Sequence, residues 1–370
     1  TLDSAVFHIV TIFVNGKAIA VLSFLFGLGF AVQVRRAEGR RTAVAPLYGR
    51  RMFVLLAIGL THALLWYGDI LAVYALLGFA LLLFHHAGDR TLLAWAAVLL
   101  AAVPLAFGVY SVLQGPPALR TGQAAYGAAM LAAIRSGDAA RIVPANVQML
   151  ADTYLSRVGL MVFAQLLGLF LLGLWAGRRR LPERVAVHRA AFRRVAVWGA
   201  AVAIPASLVL EVVRTVPGLR AAAAAPWPSL GLTVLRMLAV VPLAAAYVSL
   251  VMLLMENVRW RRRLAVFAPV GRMALTNYLA QTVICVLIFY GGGLVGRIGP
   301  AGAVGIALVV FTAQLAWSPW WLARFRFGPA EWLWRSLTYG CSQPMRIRAA
   351  AARLAGARSP RSVAFAESGG

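Results

Sequence analysis

The chain has 370 residues, of which 62% are hydrophobic and only 13% charged, with a mean hydropathy of +0.80 and a formal net charge of +25. A soluble globular chain is nearer half apolar and a quarter charged. The excess here is collected in blocks long enough for a helix to cross a ~30 Å hydrocarbon core, which excludes a soluble domain behind a single signal peptide. It also moves the basic surplus away from nucleic acid and onto the flanks of membrane helices beside anionic lipid.

Nine apolar segments follow one another, at about 12–34, 52–67, 70–84, 91–113, 154–176, 195–213, 230–255, 265–290 and 300–322. Lipid offers no partner for backbone N–H and C=O, so each spanning segment is predicted to be a helix. The ten-residue alternation of a membrane barrel is absent. The expected fold is an all-α polytopic transmembrane bundle. Residues 1–345 form one membrane domain, and 346–370 form a basic tail, disordered or lying on the membrane surface.

Arginines set the expected orientation. The connections 35–51, 85–90, 177–194 and 256–263, with everything after 322, hold 26 arginines; the alternate set, 114–157, 214–229 and 291–299, holds 7. The first set is placed in the cytoplasm, which puts residues 1–11, Gly68-Asp69 and the loop 114–153 outside. An odd number of spans after an outer N-terminus, opening on Thr1, predicts a further helix upstream and ten spans in the complete protein.

Ionisable groups at membrane depth cost about 2.5–3.5 kcal/mol each and usually face the bundle interior. Lys17 stands near the outer end of the first segment, where it either snorkels or meets an anionic group. His62 and Asp69, in GLTHALLWYGDIL, are seven residues apart, about 10 Å on one face of a regular helix. Gly68 breaks that helix and brings Asp69 back over its end. Two readings stay open: a His–Asp pair acting as general base, or a histidine bonded to a neighbouring helix and an aspartate capping the third helix. Arg236 stands two turns into the seventh segment and is expected to hold an anion or to pair with Glu211 or Asp69. In GRMALTNYLAQ, Arg272 is read as snorkelling or as meeting something anionic, Asn277 as a substrate contact or an interhelical hydrogen bond, and Gln281 as interhelical glue.

FLFGLGF is read as helix packing through its glycines, not as a phosphate loop. Cys285 and Cys341 carry no metal spacing. RFRFGPAEWLWRSLTYG, 324–340, reads as a helix at the inner interface anchored by Trp332 and Trp334.

NGKAIAVLSFLFGLGFAVQ, RRMFVLLAIGLTHALLWYGDILAVYALLG, APVGRMALTNYLAQTVICVLIFY and FRFGPAEWLWRSLTYG together resemble the YeiB-like bacterial membrane family, whose C-terminal part, about 154–345 here, is a domain of unknown function, number 418. Members usually begin with a helix bearing a Leu-Asp-Ala-Leu-Arg-Gly-like motif, absent from this sequence. The family is similar at the superfamily level to transmembrane acyltransferases, which move acyl groups from cytoplasmic donors to acceptors outside. The resemblance implies a multi-pass protein of the bacterial cytoplasmic membrane. It also implies acyl transfer to an extracytoplasmic acceptor. His62 is then the base, Asp69 its orienting partner, and Lys17 and Arg236 the contacts to anionic groups. A donor such as acyl-CoA, not a bound cofactor, would pass Arg272. The competing expectations are a transporter of a small or amphiphilic solute and a non-catalytic envelope scaffold.

Overall fold

A computed structural model describes residues 1–39, 43–114, 127 and 130–347. Among them the chain is an all-α bundle with eight helices long and apolar enough to cross a membrane and a shorter apolar one, Leu71–Leu83. Each of the nine expected segments becomes a helix. From Arg348 on, the expected tail lies outside the described residues.

The helices are α1 (Leu2–Phe13), α2 (Lys17–Gly39), α3 (Val44–Leu65), α4 (Leu71–Leu83), α5 (Asp89–Ala97), α6 (Val103–Gln114), α7 (Ala139–Tyr154), α8 (Arg157–Arg178), α9 (Arg189–Thr215), α10 (Pro226–Glu256), α11 (Ala274–Val286), α12 (Pro300–Leu322) and α13 (Pro329–Tyr339). A π-helical turn, Val98–Ala102, joins α5 to α6.

Two boundaries differ from the sequence reading. Residues 1–11 were expected only to face outside, yet they form α1, with Thr1 as its N-cap. Gly16, at φ +77°, breaks the path into α2. The eighth segment was expected to start at 265, but the chain there makes a 3-10 turn and a short helix, Ala268–Arg272, before α11 begins at Ala274. Pro269 and a remote cap on α11 set that start. Glu331 accepts from the backbone N–H of Leu275 at 2.7 Å and of Thr276 at 3.1 Å.

α2 and α8 form the centre by close backbone approach. A Cβ on Gly27 would lie 1.9 Å from the carbonyl oxygen of Phe170, and one on Gly173 1.9 Å from that of Phe24. Small residues at such contacts let membrane helices gain packing that lipid cannot provide. Phe30, Met52, Leu81, Leu92, Phe170 and Leu174 fill the core around them.

Side-chain contacts gather the helix ends as the arginine count requires. At the arginine-rich face, Arg35 meets Glu183 at 2.7 Å, Arg179 meets Asp89 at 2.5 Å, and Arg178 donates to the carbonyls of Phe84, His85 and Ala87. At the opposite face, Asp3 accepts from the N–H of Ala301 at 2.8 Å and Asn146 donates to the carbonyl of Leu64 at 2.9 Å. α13 packs on α3 rather than serving only as an anchor. Trp334 donates to the carbonyl of Arg51 at 2.8 Å, and the Arg51 guanidinium lies 4.1 Å over its ring.

Candidate functional site

α3 and α4 form a hairpin whose turn, Trp66–Ile70, lies at the arginine-poor face. The two helices touch at Gly59, where a Cβ would fall 2.3 Å from the backbone nitrogen of Ala72. Only a glycine permits that approach, and the approach brings the last turn of α3 against the first turn of α4. His62 and Asp69 meet there. His62 Nδ1 lies 2.7 Å from Asp69 Oδ1, and Asp69 Oδ2 accepts from the N–H of Ala72 at 2.7 Å. One carboxylate oxygen thus takes the histidine and the other caps α4. His62 and Asp69 are 4% and 1% exposed.

The third member comes from α11. Thr282 Oγ1 is 2.9 Å from His62 Nε2. A carboxylate only accepts, so Nδ1 donates to Asp69; in the singly protonated ring that leaves Nε2 as the acceptor facing the Thr282 hydroxyl. The charge on Asp69 is compensated by these donors and by the positive end of α4. Tyr278 packs its ring 5.1 Å from the imidazole. α7 closes the turn from above: Tyr154 donates its hydroxyl to the carbonyl oxygen of Asp69. Burial and the neighbouring Asp69 carboxylate push the Tyr154 phenol above its usual range, which keeps that donor protonated.

His62 also lines an apolar groove of about 880 Å³ between α3, α11 and α13. Along α3 it runs from Gly49 and Arg50 to Leu65, roughly 24 Å at the helical rise. Phe53, Val283, Leu333 and Leu337 on its walls are exposed large apolar residues. The expected cavity, shared by His62 with Lys17 or Arg236 and open to the outer face, is not what forms. α7 covers the pair on that side, and the groove leads down the flank of the bundle toward the arginine-rich face.

Lys17 and Arg236 do come together, but elsewhere. They line a cavity of about 350 Å³ between α2, α9 and α10, with Glu211, Arg214 and Arg220. Arg236 thus shares a cavity with one of its two expected partners, Glu211, and not with Asp69. Glu211 is itself held by His8 and by Arg214, whose Nε donates to it at 2.9 Å. Asn277 is buried and spent on packing. Its amide donates to Ser318 Oγ at 3.2 Å, and its Oδ1 accepts from Trp317 at 3.1 Å. Gln281 donates to Gln314 at 2.7 Å. The glue reading therefore fits both. Arg272 is exposed, and Arg50 stands at the arginine-rich end of the groove instead. Among the described residues no group of three or more His, Cys, Asp or Glu is placed to hold a metal.

Two participants escaped the sequence reading: Thr282 and Tyr154. Thr282 follows Tyr278 by one helical turn, so a polar stripe on α11 was available as a signal. Tyr154, the last residue of α7, had none.

Residues 176–341 match the family model described as "Protein of unknown function (DUF418)". The chain is similar to the uncharacterized protein YxaH of Bacillus subtilis, 37% identical over 93% of this chain and 84% of the relative. An uncharacterized 39.9 kDa protein in the amylase 3' region of Bacillus acidopullulyticus is 26% identical over 91% of this chain and 84% of its own length. The uncharacterized protein YeiB of Escherichia coli is 47% identical over a shorter stretch, 21% of this chain and 20% of YeiB. No solved structure matches.

Proposed function

The chain belongs to the YeiB-like DUF418 family of multi-pass helical proteins, and we propose that it is a membrane-embedded acyltransferase serving an acceptor on the outer side of the bacterial cytoplasmic membrane. The observation that carries this reading is the chain of contacts from Asp69 through His62 to a hydroxyl, at the end of an apolar groove that leads from Arg50 at the arginine-rich face to His62. Asp69 fixes the tautomer that leaves Nε2 basic, as the carboxylate does in a hydrolase triad.

In the proposed reaction the pantetheine arm of the donor lies along α3 and brings its thioester carbonyl beside His62, and the acyl chain leaves through the open apolar side of the groove. The acceptor hydroxyl binds where the Thr282 hydroxyl now sits and gives its proton to Nε2. Its oxygen forms the new bond to the carbonyl carbon, the C–S bond breaks, and the sulfur leaves with the proton returned from Nε2. A general base of this kind contributes about 10²–10⁴-fold. Burial beneath α7 keeps water from competing for the acyl group. Arg50, at the arginine-rich mouth, is suited to the phosphates of an acyl-CoA donor approaching from the cytoplasm.

The test is transfer of radiolabel from acyl-CoA, supplied on the arginine-rich side of proteoliposomes, to acceptor or protein. His62→Ala is expected to abolish transfer while the protein stays in the membrane at normal abundance. Full transfer by that variant, or none by the wild type across a panel of acyl-CoA lengths and hydroxyl or amine acceptors, rules the reading out.

A further inference from the structure

The cavity that holds Lys17 and Arg236 is a site in its own right. Four cations line it, Lys17, Arg214, Arg220 and Arg236, against one carboxylate, Glu211, which His8 and Arg214 already engage. Lys17 is the chain's only lysine and is 4% exposed. Among the described residues its ammonium, a three-donor group, has one hydrogen bond, to the carbonyl of Thr11 at 3.1 Å. A buried cation so lightly compensated is costly. On the same wall, Ser207 is 4% exposed and its hydroxyl has no hydrogen-bond partner among the described residues. Buried polar groups in native proteins are normally satisfied. Cations in surplus beside an idle hydroxyl call for an acceptor-rich anion with several oxygens.

Directly beneath it, on the same helices, lies a second cavity of about 210 Å³ with an almost wholly apolar lining. α2 contributes Lys17 to the upper cavity and Ala20, Val21 and Phe24 to the lower. α10 contributes Ala239 and Val240 to the upper, then Val241, Ala244 and Ala245 to the lower. A charged pocket stacked on an apolar one, with its charged end at the arginine-poor face, has the layout of one amphiphile: anion above, hydrocarbon below.

We propose that the cavity between α2, α9 and α10 binds a phosphate group, and that the phosphate is the headgroup of an anionic lipid whose chain enters the apolar cavity below. Arg220 and Arg236 supply planar forks suited to phosphate oxygens, Lys17 a buried point charge, and Ser207 a hydroxyl donor. This site stands on its own residues and does not require acyl transfer at His62.

The experiment measures binding to the full chain in detergent by native mass spectrometry, with phosphatidylglycerol, diacylglycerol of the same chains, and inorganic phosphate as probes. Phosphatidylglycerol is expected to bind and diacylglycerol, which lacks the phosphate, not to. Arg236→Gln and Arg220→Gln, both at exposed positions, should each weaken phosphatidylglycerol about tenfold, the loss of one charge-assisted contact, while Arg236→Lys, which keeps the charge but loses the fork, should fall between Arg236→Gln and the wild type. Ser207→Ala should weaken it severalfold without lowering the melting temperature. Ala245→Phe, which fills the lower cavity, should weaken the lipid and leave inorganic phosphate unchanged. Equal binding of diacylglycerol, or unchanged phosphatidylglycerol binding in an Arg220→Gln/Arg236→Gln double variant, overturns the site. Inorganic phosphate binding as tightly as the lipid, with no effect of Ala245→Phe, overturns the lipid assignment and leaves a free-phosphate site. His62→Ala should bind phosphatidylglycerol like the wild type, so the two sites fail or hold separately.

Discussion

Glu331 and Thr276 hold the N-termini of each other's helices. The Glu331 carboxylate accepts from the first N–H groups of α11 and, at 2.5 Å, from the Thr276 hydroxyl; Thr276 Oγ1 in turn accepts from the N–H of Ala330 at the start of α13, at 3.0 Å. Gly328 makes room, since a Cβ there would sit 2.2 Å from the Glu331 carboxylate. The reciprocal cap fastens α13 to α11, and these two helices with α3 wall the groove that ends at His62.

Glu331→Ala leaves two N–H groups and a hydroxyl without their acceptor. It should cost about 1–3 kcal/mol and lower the melting temperature in detergent. Thr276→Val should do the same, and Thr276→Ser should behave as wild type. An undiminished melting temperature in Glu331→Ala would show that the cap is dispensable.

Reporter fusions test the orientation. Fusions after Arg180 and Arg263 should report cytoplasm, and fusions within 120–140 should report the outside, because the arginine-rich ends are retained on the inner side. An inverted pattern would place His62 and the Lys17 cavity at the inner face and remove the case for an outer acceptor.

The nine helices were legible because a bilayer leaves an apolar run only one way to satisfy its backbone. Their edges were legible only where the cause is local. The start of α11 was misread because its cap, Glu331, lies some 55 residues further on. α1 was missed although AVFHIVTIF is itself apolar, because Asp3, Ser4 and His8 interrupt the run. At the site, His62 and Asp69 were legible as a pair because seven residues and a glycine separate them across one turn. Thr282, 220 positions from His62, and the covering helix α7 depend on tertiary packing that spacing does not encode. Lys17 and Arg236 were rightly read as near the same end of the bundle, but sharing an end did not put them beside His62.

The two glycines of FLFGLGF should part company. Gly27 abuts the Phe170 carbonyl, whereas a Cβ on Gly29 would meet nothing within 4 Å. Gly27→Ala must push α2 from α8 and should destabilise by at least the ~1–3 kcal/mol typical of overpacking. Gly29→Ala should be neutral or stabilise by up to about 1 kcal/mol, since alanine restricts the unfolded chain and favours helix. Equal melting shifts for the two would defeat the assignment of Gly27 as the contact.

Asp69→Asn separates the two tasks of the carboxylate. Asparagine keeps an oxygen for the N–H of Ala72, so the α4 cap survives and stability should change little. Its other terminus is an NH₂ group, which cannot accept from His62 Nδ1. The imidazole then takes the other tautomer: Nδ1 accepts, and Nε2 carries the proton toward Thr282. A base with its proton already in place cannot take one from an acceptor hydroxyl, so turnover should fall by about 10²–10⁴-fold while the protein folds and inserts as before. Nitrogen-15 spectra of the His62 ring should show the proton on Nδ1 in the wild type and on Nε2 in the variant. A variant that holds the Nε2–H form yet keeps full turnover would take His62 out of the chemistry and leave it a packing residue; one that unfolds would show that Asp69 is needed chiefly to hold α3 against α4.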